Sequence, residues 1–272
     1  MSLRIQNNIE AFNAHRQLVG TSAQMAKSME RLSSGFRINR AADDAAGLAI
    51  SEKLRAQIGG VGQAQRNAQD AVSLVQTAEG SLSEVHAILG RVRDLTVQYE
   101  NGTLSTSDKT SIQTEIQDLG NEIGRIRDVT EFNGTALLSA SSTITFQVGA
   151  DDGQTIGVSV SDVYSSSSTV VDSDFFANYG TQTGRLSTLD GMIAAVATQR
   201  ATFGSTQNRL EHTLNNLATY EENLTASESR IRDVDMASEM VRFTKYQILQ
   251  QAGTAMLAQA NSAPQSVLSL LR

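Results

Sequence analysis

The sequence predicts a mainly α-helical protein: an elongated antiparallel helical bundle with coiled-coil terminal helices and a small β-hairpin region in its middle. Two observations lead to this fold class. The chain of 272 residues has a single proline, Pro264, so the commonest helix breaker is almost absent. Over four long segments, apolar residues recur alternately three and four positions apart. That spacing places them on one face of a helix, where they bury a seam against a second helix.

The first two of these segments lie in the N-terminal half of the chain. One runs from about Ile5 to Phe36, and its seam is narrow: Ile5, Ile9, Phe12, Met25, Met29, Leu32 and Phe36. The other is expected to be helical from about Ala42 to Tyr99, which would make it roughly 85 Å long. Its seam has the strictest spacing in the sequence: Val61, Ala64, Ala68, Ala71, Val75, Ala78, Leu82, Val85, Leu89 and Val92. These patterns predict two long helices in the N-terminal half, and we interpret the cluster Gly59–Gly62 as an irregularity in the second.

A third helix is expected to fold back antiparallel on the second. Asn101 and Gly102 predict the turn, and Ser107 is the candidate N-cap. The seam of this helix comprises Ile112, Ile116, Leu119, Ile123 and Ile126. The fourth long segment begins near Leu186, and polar residues interrupt its seam at Arg200, Gln207, Glu221 and Glu228. Such interruptions fix the register of a seam at some cost in stability.

Between the third and fourth helices the pattern changes from helical to strand-like. Residues 143–148 and 155–160 alternate between apolar and polar, and Asp152 with Gly153 offers a turn between them. This predicts one β-hairpin. Serine-rich stretches at Ser139–Ser142 and Ser165–Ser168 flank it and are expected to be surface loops. Residues 139–184 are too few to hold an inserted catalytic domain.

Composition and motifs argue against an enzyme and against a metal or cofactor site. The chain has no cysteine, and its net charge of -7 disfavours nucleic acid as a partner. His15, His86 and His212 lie far apart, without a second ligand at helical metal spacing. The adjacent carboxylates Asp43–Asp44 and Glu221–Glu222 point in different directions on a helix and suit solvated charge better than acid–base catalysis. We therefore expect no catalytic residue, no cofactor and no metal.

Both ends of the chain carry apolar residues that an isolated subunit leaves exposed. A segment after Ile231 ends in the apolar residues Val267, Leu268, Leu270 and Leu271. The sequence has no run of about 18 apolar residues, which is the length that spans a bilayer. Its N-terminus lacks the basic and apolar regions of a secretory signal. We therefore expect no membrane partner. The pattern suits a polymer subunit, although a scaffold, a secreted effector or a coiled-coil adaptor would also fit.

One stretch is specific enough to indicate a family. Leu32–Ile58, which reads LSSGFRINRAADDAAGLAISEKLRAQI, resembles the N-terminal signature of bacterial flagellins. Three further stretches are similar to the same family: Asn67–Val85, Glu131–Leu138, and the C-terminal QILQQAGTAMLAQAN with VLSLLR. The resemblance implies a structural subunit of the bacterial flagellar filament that is exported unfolded by the type III apparatus. It would then self-assemble outside the cell, through its N- and C-terminal helices, into the motility propeller. The alternative is a hook–filament junction protein, which shares the terminal helical patterns.

The resemblance also implies a division into domains. Residues 1–40 with 233–272 would form an inner terminal helical domain, and residues 41–138 with 185–232 a core helical bundle. Residues 139–184 would be a short β-hairpin and serine-rich excursion in place of outer domains.

Site residues and partners are implied in the same way. Intersubunit contacts are expected at Ile5, Ile9, Phe12, Arg37, Arg40, Asp43, Asp44, Met240, Phe243, Leu268, Leu270 and Leu271. The positions read by the flagellin-sensing toll-like receptor of hosts, which signals innate immune recognition, are Arg91, Leu95, Gln98 and Glu115. The chain departs from the usual pattern of that patch at Gly90 and Asp94. Besides further copies in a helical homopolymer, the implied partners are a flagellar secretion chaperone, the filament cap and the hook-associated junction proteins.

Overall fold

The structure is a computed structural model that describes residues 8–164 and 170–270, with side chains for residues 8–164 and 170–262. The predicted mainly α-helical class with a small β-hairpin region is confirmed. The elements in chain order are α1 (Ile9–Ser34), α2 (Ala45–Tyr99), α3 (Thr106–Val129), β1 (Glu131–Phe132), β2 (Thr135–Ala136), β3 (Ser142–Gln147), β4 (Thr155–Val160), α4 (Ser173–Ala177), a 3-10 turn (Tyr179–Thr181), α5 (Arg185–Arg232) and α6 (Met236–Leu270).

The chain divides into two compact units, and each contains parts of the two longest helices. We call residues Met1–Ala56 with Asn223–Arg272 the terminal unit and residues Gln57–Glu222 the core unit. None of the helices described is long and apolar enough to cross a membrane.

The core unit is organised around the seam that the spacing on α2 predicts. Each of its ten side chains, from Val61 to Val92, is at most 1% exposed. Helix α3 runs antiparallel to α2, since Arg91 pairs with Glu115 while Thr130, just after α3, donates its hydroxyl to that of Ser81. Helix α5 also contributes to this core, with Leu189, Val196, Phe203 and Leu210 at most 1% exposed. The heptad spacing therefore gives a closed apolar core here.

Two details of these helices differ from the sequence prediction. Helix α2 passes through Gly59–Gly62 without interruption, so the predicted irregularity is wrong. Gly60 instead allows the backbone of α2 to lie close to Ala150, because a Cβ atom at position 60 would lie 3.0 Å from the Cβ of Ala150. The N-cap of α3 is Ser105 and not Ser107: its hydroxyl accepts from the amide of Asp108, whose carboxylate accepts from the amide of Ser105 in return. This capping box satisfies two amides that the start of a helix leaves unpaired, which a cap at Ser107 could not do.

The strand region holds the predicted hairpin and a second, smaller one. Strands β3 and β4 pair antiparallel, with Ser142 opposite Val160 and Gln147 opposite Thr155. Strands β1 and β2 form the unpredicted hairpin around Asn133 and Gly134, whose φ angles of 50° and 73° suit a tight two-residue turn. Sequence analysis gave this stretch only as a family signature, because strands of two residues carry no visible alternation.

A short aromatic segment after β4 completes the core unit and was not predicted. Phe175 and Phe176 of α4 and the adjacent Tyr179 are at most 2% exposed. The Tyr179 hydroxyl donates to the Thr96 hydroxyl on α2 at 2.9 Å. The ring of Phe176 lies against α3 at Gly120, where a Cβ atom would come within 2.7 Å of the ring. Glycine at this position is therefore a packing requirement.

We predict that Gly120→Ala destabilises the core unit by about 1–3 kcal/mol, because the added methyl group overpacks the contact with Phe176. Gly80→Ala is the matched control: it also lies inside a long helix, but no neighbouring atom lies within 4 Å of the position that its methyl group would occupy. Alanine there should stabilise by about 0.5–1 kcal/mol. Urea unfolding followed by far-UV circular dichroism measures both changes, and equal stabilities of the two variants would contradict this packing.

Candidate assembly surface of the terminal helices

Helices α1 and α6 pair antiparallel within the terminal unit. The side-chain amide of Asn8 donates to the Ala260 carbonyl at 2.7 Å, and the Ser28 hydroxyl donates to the Glu239 carboxylate at 2.6 Å. The least exposed positions alternate three and four apart on both helices, and we call these sets the inner stripes. They are Ala11, Ala14, Leu18, Thr21, Met25, Ser28 and Leu32 on α1, and Glu239, Phe243, Tyr246, Gln250, Gly253, Leu257 and Ala260 on α6.

The seam between the inner stripes is thin. Many of its residues are small, and a Cβ atom at Gly253 would lie 3.2 Å from a methyl carbon of Leu18, so the helices approach closely there. Among the described side chains of α1 and α6, the fully buried ones are both polar, Ser28 and Glu239. An isolated pair of helices with so little buried apolar surface gains little from packing.

Ser28 and Glu239 form a polar contact at the end of this seam that lies next to the linkers. Besides the Ser28 hydroxyl, the carboxylate of Glu239 faces the guanidinium groups of Arg242 at 3.4 Å and Arg31 at 3.9 Å. A buried carboxylate without partners is costly, so any slip of one helix along the other would lose this contact. The contact therefore favours a single register between α1 and α6.

Each of these helices also carries a second apolar stripe that faces away from its partner. At 100° per residue, these outer stripes lie on roughly the opposite side of each helix from the inner stripes. The outer stripe of α1 comprises Ile9, Phe12, Val19, Ala23 and Ala26, with Arg16 as its one polar interruption. The outer stripe of α6 comprises Ala237, Val241, Thr244, Ile248, Ala255 and Ala258, interrupted by Gln251. Phe12 is 68% exposed and Val241 is 70% exposed.

Exposed apolar side chains are concentrated in the terminal unit. Of the fourteen large hydrophobic residues that are exposed in the described part of the chain, eleven belong to it. Two open grooves of about 410 Å³ each lie along α6. The first is lined by Met240, Val241, Thr244, Lys245 and Ile248, and the second by Met25, Met29, Phe243, Gln247, Gln250, Gln251 and Thr254. A soluble monomer rarely leaves so much apolar surface uncovered, so this surface indicates a contact site.

Two linkers belong to the terminal unit, one between α1 and α2 and the other between α5 and α6, and backbone hydrogen bonds join them. The Val234 amide donates to the Gly35 carbonyl at 2.9 Å, and the Arg37 amide donates to the Arg232 carbonyl at 2.7 Å. Gly35 ends α1 with a φ of 76°, a conformation that glycine adopts without strain. The guanidinium of Arg232 lies 4.8 Å from the centre of the Phe36 ring and pairs with Glu52 at 2.7 Å. These contacts fix the end of α1 and the start of α6 relative to each other.

The four charged residues predicted for assembly all have partners within their own chain. Arg37 donates to the Ile231 carbonyl, and Arg40 pairs with Glu30 at 2.9 Å. The side chain of Asp44 accepts from the Gly47 amide at 2.9 Å, close to the start of α2. Arg37 and Arg40 are nonetheless exposed, so their remaining donors face solvent.

Asp43 has three partners within the chain. It pairs with Lys27 at 2.6 Å and accepts from the amides of Arg40 and Asn39. The Lys27 ammonium, followed by the Arg40 amide, lowers the pKa of the Asp43 carboxyl from 3.8 to about 2. The first residues after α1 are thereby tied back to α1.

The predicted apolar assembly residues fall into three groups. Ile9, Phe12 and Met240 are exposed, as a contact surface requires, whereas Phe243 is half-buried on the inner stripe. Ile5 and Leu271 lie outside the described residues, and Leu268 and Leu270 belong to α6 but their side chains are not described. Val19, Val241 and Ile248 are also exposed on these helices and were not among the predicted residues. A second search for three-and-four spacing on each helix would have found them.

The predicted receptor patch is only partly accessible. Arg91 and Glu115 are exposed and joined by an ion pair of 2.7 Å between α2 and α3, and Gln98 is exposed on α2. Leu95 is 2% exposed and belongs to the core, so its side chain supports the helix from beneath.

Within the described residues, no group of three or more His, Asp or Glu side chains could hold a metal ion. The features of the site are apolar stripes, ion pairs and hydrogen bonds, which serve binding between helices.

Known proteins that are similar to this chain cover nearly its whole length. The family model of the bacterial flagellin N-terminal helical region matches residues 5–143, and that of the bacterial flagellin C-terminal helical region matches residues 186–271. A flagellin of Halalkalibacterium halodurans is 50% identical over 98% of this chain and 99% of its own length. A flagellin of Bacillus subtilis is 47% identical over 99% of this chain and 100% of its own length. The flagellar filament 33 kDa core protein of Treponema phagedenis is 46% identical over 98% of this chain and 99% of its own length.

We predict that Lys27→Gln raises the pKa of Asp43 from about 2 towards 3.8, because the ammonium is the main cause of the shift. A carboxyl whose pKa is lower in the folded state than in the unfolded chain stabilises the folded state at pH values above the unfolded pKa. The contribution of Asp43 is therefore lost as the pH falls from 3.8 to about 2. Since Lys27 is partly exposed, the variant should lose only about 0.5–1 kcal/mol at neutral pH. Carboxyl NMR titration measures the pKa, with Lys53→Gln, an exposed lysine of α2, as the control. An unchanged Asp43 midpoint in Lys27→Gln would rule out the assigned cause.

Proposed function

The chain belongs to the bacterial flagellins and is a structural subunit of the flagellar filament, not an enzyme, and we propose that the outer stripes of α1 and α6 join one subunit to the next. The filament is a polymer of identical subunits, so each subunit must present surfaces that other copies cover. The observation that supports this assignment is the concentration of exposed apolar side chains on α1 and α6.

The two outer stripes differ from each other, and this difference suits an open polymer. The stripe of α1 has large residues near its N-terminal end, Ile9, Phe12 and Val19, whereas that of α6 has Val241 and Ile248 followed by alanines. A surface that binds a different surface on the next copy makes a heterologous contact. Contacts of this kind continue indefinitely unless they close into a ring, as helical growth requires.

The energy of the contact also suits assembly. Fully burying one large aliphatic or aromatic side chain stabilises by about 1.5–3 kcal/mol, and each subunit offers several. The thin seam between α1 and α6 gains little by comparison. The terminal helices are thus expected to reach their full stability only when other copies cover them.

The remaining predicted assembly residues extend this surface. Ile5, Leu268, Leu270 and Leu271 would continue the apolar contact at the chain ends. Arg37 and Arg40, with Asp43 and Asp44, would add charge contacts beside the linkers. The exposed donors of the two arginines would supplement the bonds that they make within the chain. Phe243 would act from the groove that it shares with Met25 and Met29.

We also propose the domain division that the family resemblance implies. Residues 1–40 with 233–272 would form the inner domain of the filament, residues 41–138 with 185–232 the core bundle, and residues 139–184 the short excursion in place of outer domains. The boundary at residues 35–40 and 232–235 is supported by the paired linkers and by the helix ends found there.

Export and further partners follow from the same proposal. The subunit would pass unfolded through the flagellar type III apparatus to the outside of the cell, with a secretion chaperone at its C-terminal segment. The filament cap and the hook-associated junction proteins would be its partners at the two ends of the polymer. The absence of cysteine and the thin terminal seam support this route, since neither disulfides nor a large buried interface oppose unfolding of the terminal unit.

Arg91, Gln98 and Glu115, supported by Leu95 beneath them, are proposed as the patch that the toll-like receptor of hosts reads. The exposure of the first three residues and their position on two adjacent helices support the assignment. The ion pair between Arg91 and Glu115 gives the patch a fixed charge pattern. The hook–filament junction protein is not favoured, because relatives matched over their full length are flagellins and a filament core protein.

We predict that Val241→Asp prevents elongation of sheared filament seeds, because it places a charge in the α6 outer stripe. Val129→Asp is the matched control, since Val129 is a similarly exposed valine, at 62% against 70%, but belongs to the core unit. Sedimentation of the polymer measures elongation, and circular dichroism verifies that the helices remain. Equal elongation by both variants would contradict the role of the outer stripe.

We predict that Arg91→Ala weakens activation of the receptor by monomeric protein at least about tenfold, the effect of losing roughly 1.4 kcal/mol of binding. Arg125→Ala removes a similarly exposed arginine that pairs with Glu122 on α3, and it should leave activation unchanged. A reporter-cell dose response measures both. If the two variants activate equally, recognition uses a different surface.

A further inference from the structure

Methionine is distributed very unevenly along this chain. Six of its seven methionines belong to the terminal unit, and Met192 alone belongs to the core unit. Met29, Met236, Met240 and Met256 are between 48% and 64% exposed, whereas Met192 is 5% exposed within the apolar core. The thioethers that solvent reaches are thus part of the apolar surface of α1 and α6.

Two of these methionines line the two grooves along α6. Met240 lies beside Val241 and Ile248 in one groove, and Met29 lies beside Met25 and Phe243 in the other. Met236 begins α6 one turn before Met240, and Met256 follows Leu249 by two turns on the same side of the helix. Methionine suits such surfaces because its unbranched side chain adapts to irregular neighbours. The same thioether is the group that oxidants attack.

We propose that Met29, Met236, Met240 and Met256 are oxidation sites, and that their conversion to sulfoxides by a peroxide stops the free subunit from polymerising. The inference rests on the proposed role of α1 and α6 in assembly. In the reaction, the thioether sulfur attacks one oxygen of hydrogen peroxide, the O–O bond breaks and an S–O bond forms. The sulfur loses two electrons, and the proton on the transferred oxygen passes to the departing hydroxide, which leaves as water.

The sulfoxide changes the surface in a specific way. At Met240 it places a strong hydrogen-bond acceptor beside the apolar side chains of Val241 and Ile248. Covering that acceptor with another subunit removes its water without supplying a donor, so association becomes unfavourable. Met192 is shielded by the core, so the core unit should remain folded under conditions that oxidise the four exposed sites. The change is reversible, because methionine sulfoxide reductases restore the thioether.

The test compares three samples of the full-length chain on sheared filament seeds: untreated, treated with hydrogen peroxide, and treated and then incubated with methionine sulfoxide reductases. Peptide mass spectrometry should find the four sites oxidised well before Met192. The critical concentration for elongation should rise at least about tenfold after treatment and return after reduction. Circular dichroism should show unchanged core helices.

A quadruple variant, M29L/M236L/M240L/M256L, provides the matched control. Leucine keeps the apolar character but cannot form a sulfoxide, so peroxide should leave the critical concentration of this variant at its own untreated value. If the wild type with all four sites oxidised elongates normally, or if the reductases do not restore elongation, the inference is wrong. An equal loss by the peroxide-treated quadruple variant would likewise assign the effect to other residues and overturn it. Failure of the untreated wild type to elongate seeds would instead contradict the proposed role of the terminal helices.

Discussion

Along α2, ten apolar side chains from Val61 to Val92 are almost completely buried, and the core unit is organised around this one seam. Three-and-four spacing creates an apolar face that is stable only when another helix covers it. Helices α3 and α5 cover the face within the core unit. The outer stripes of α1 and α6 obey the same rule but have no partner in the described part of the chain. The same physical requirement therefore gives a closed core in one unit and leaves uncovered, in the other, the apolar stripes that we propose for assembly.

Polar contacts decide the geometry of the terminal unit, because apolar burial there is small. Ser28 and Glu239 favour one register of α1 against α6, and the hydrogen bonds of Gly35 and Arg37 hold the two linkers side by side. Lys27 and Asp43 tie the segment after α1 back to that helix. Contacts of this kind add little stability individually, but they are directional. They therefore determine in which direction the outer stripes face within the terminal unit.

The aromatic segment after β4 packs the end of the strand region against the helices of the core unit. Phe175, Phe176 and Tyr179 pack edge to face with ring centres 5.3–5.5 Å apart, and Arg185 lies over the rings of Tyr99 and Tyr179. Such contacts each contribute up to roughly 1 kcal/mol beyond the burial of their area. Three of the thirteen Phe and Tyr residues thus pack against α2 and α3, through Tyr179 at Thr96 and Phe176 at Gly120.

The sequence by itself determined the long helices, the seam of α2, the β3–β4 hairpin and the family, because spacing and local motifs are properties of neighbouring residues. It did not reveal α4, whose five residues are too few to show a period, or the Ser105 cap, which competed with Ser107. Only the tertiary structure separated the inner from the outer stripes of α1 and α6, since both have the same spacing. It also showed that Leu95 is buried while Arg91 is exposed. Which apolar face is covered depends on contacts between residues more than two hundred positions apart, such as Ser28 and Glu239, and no local pattern encodes that choice.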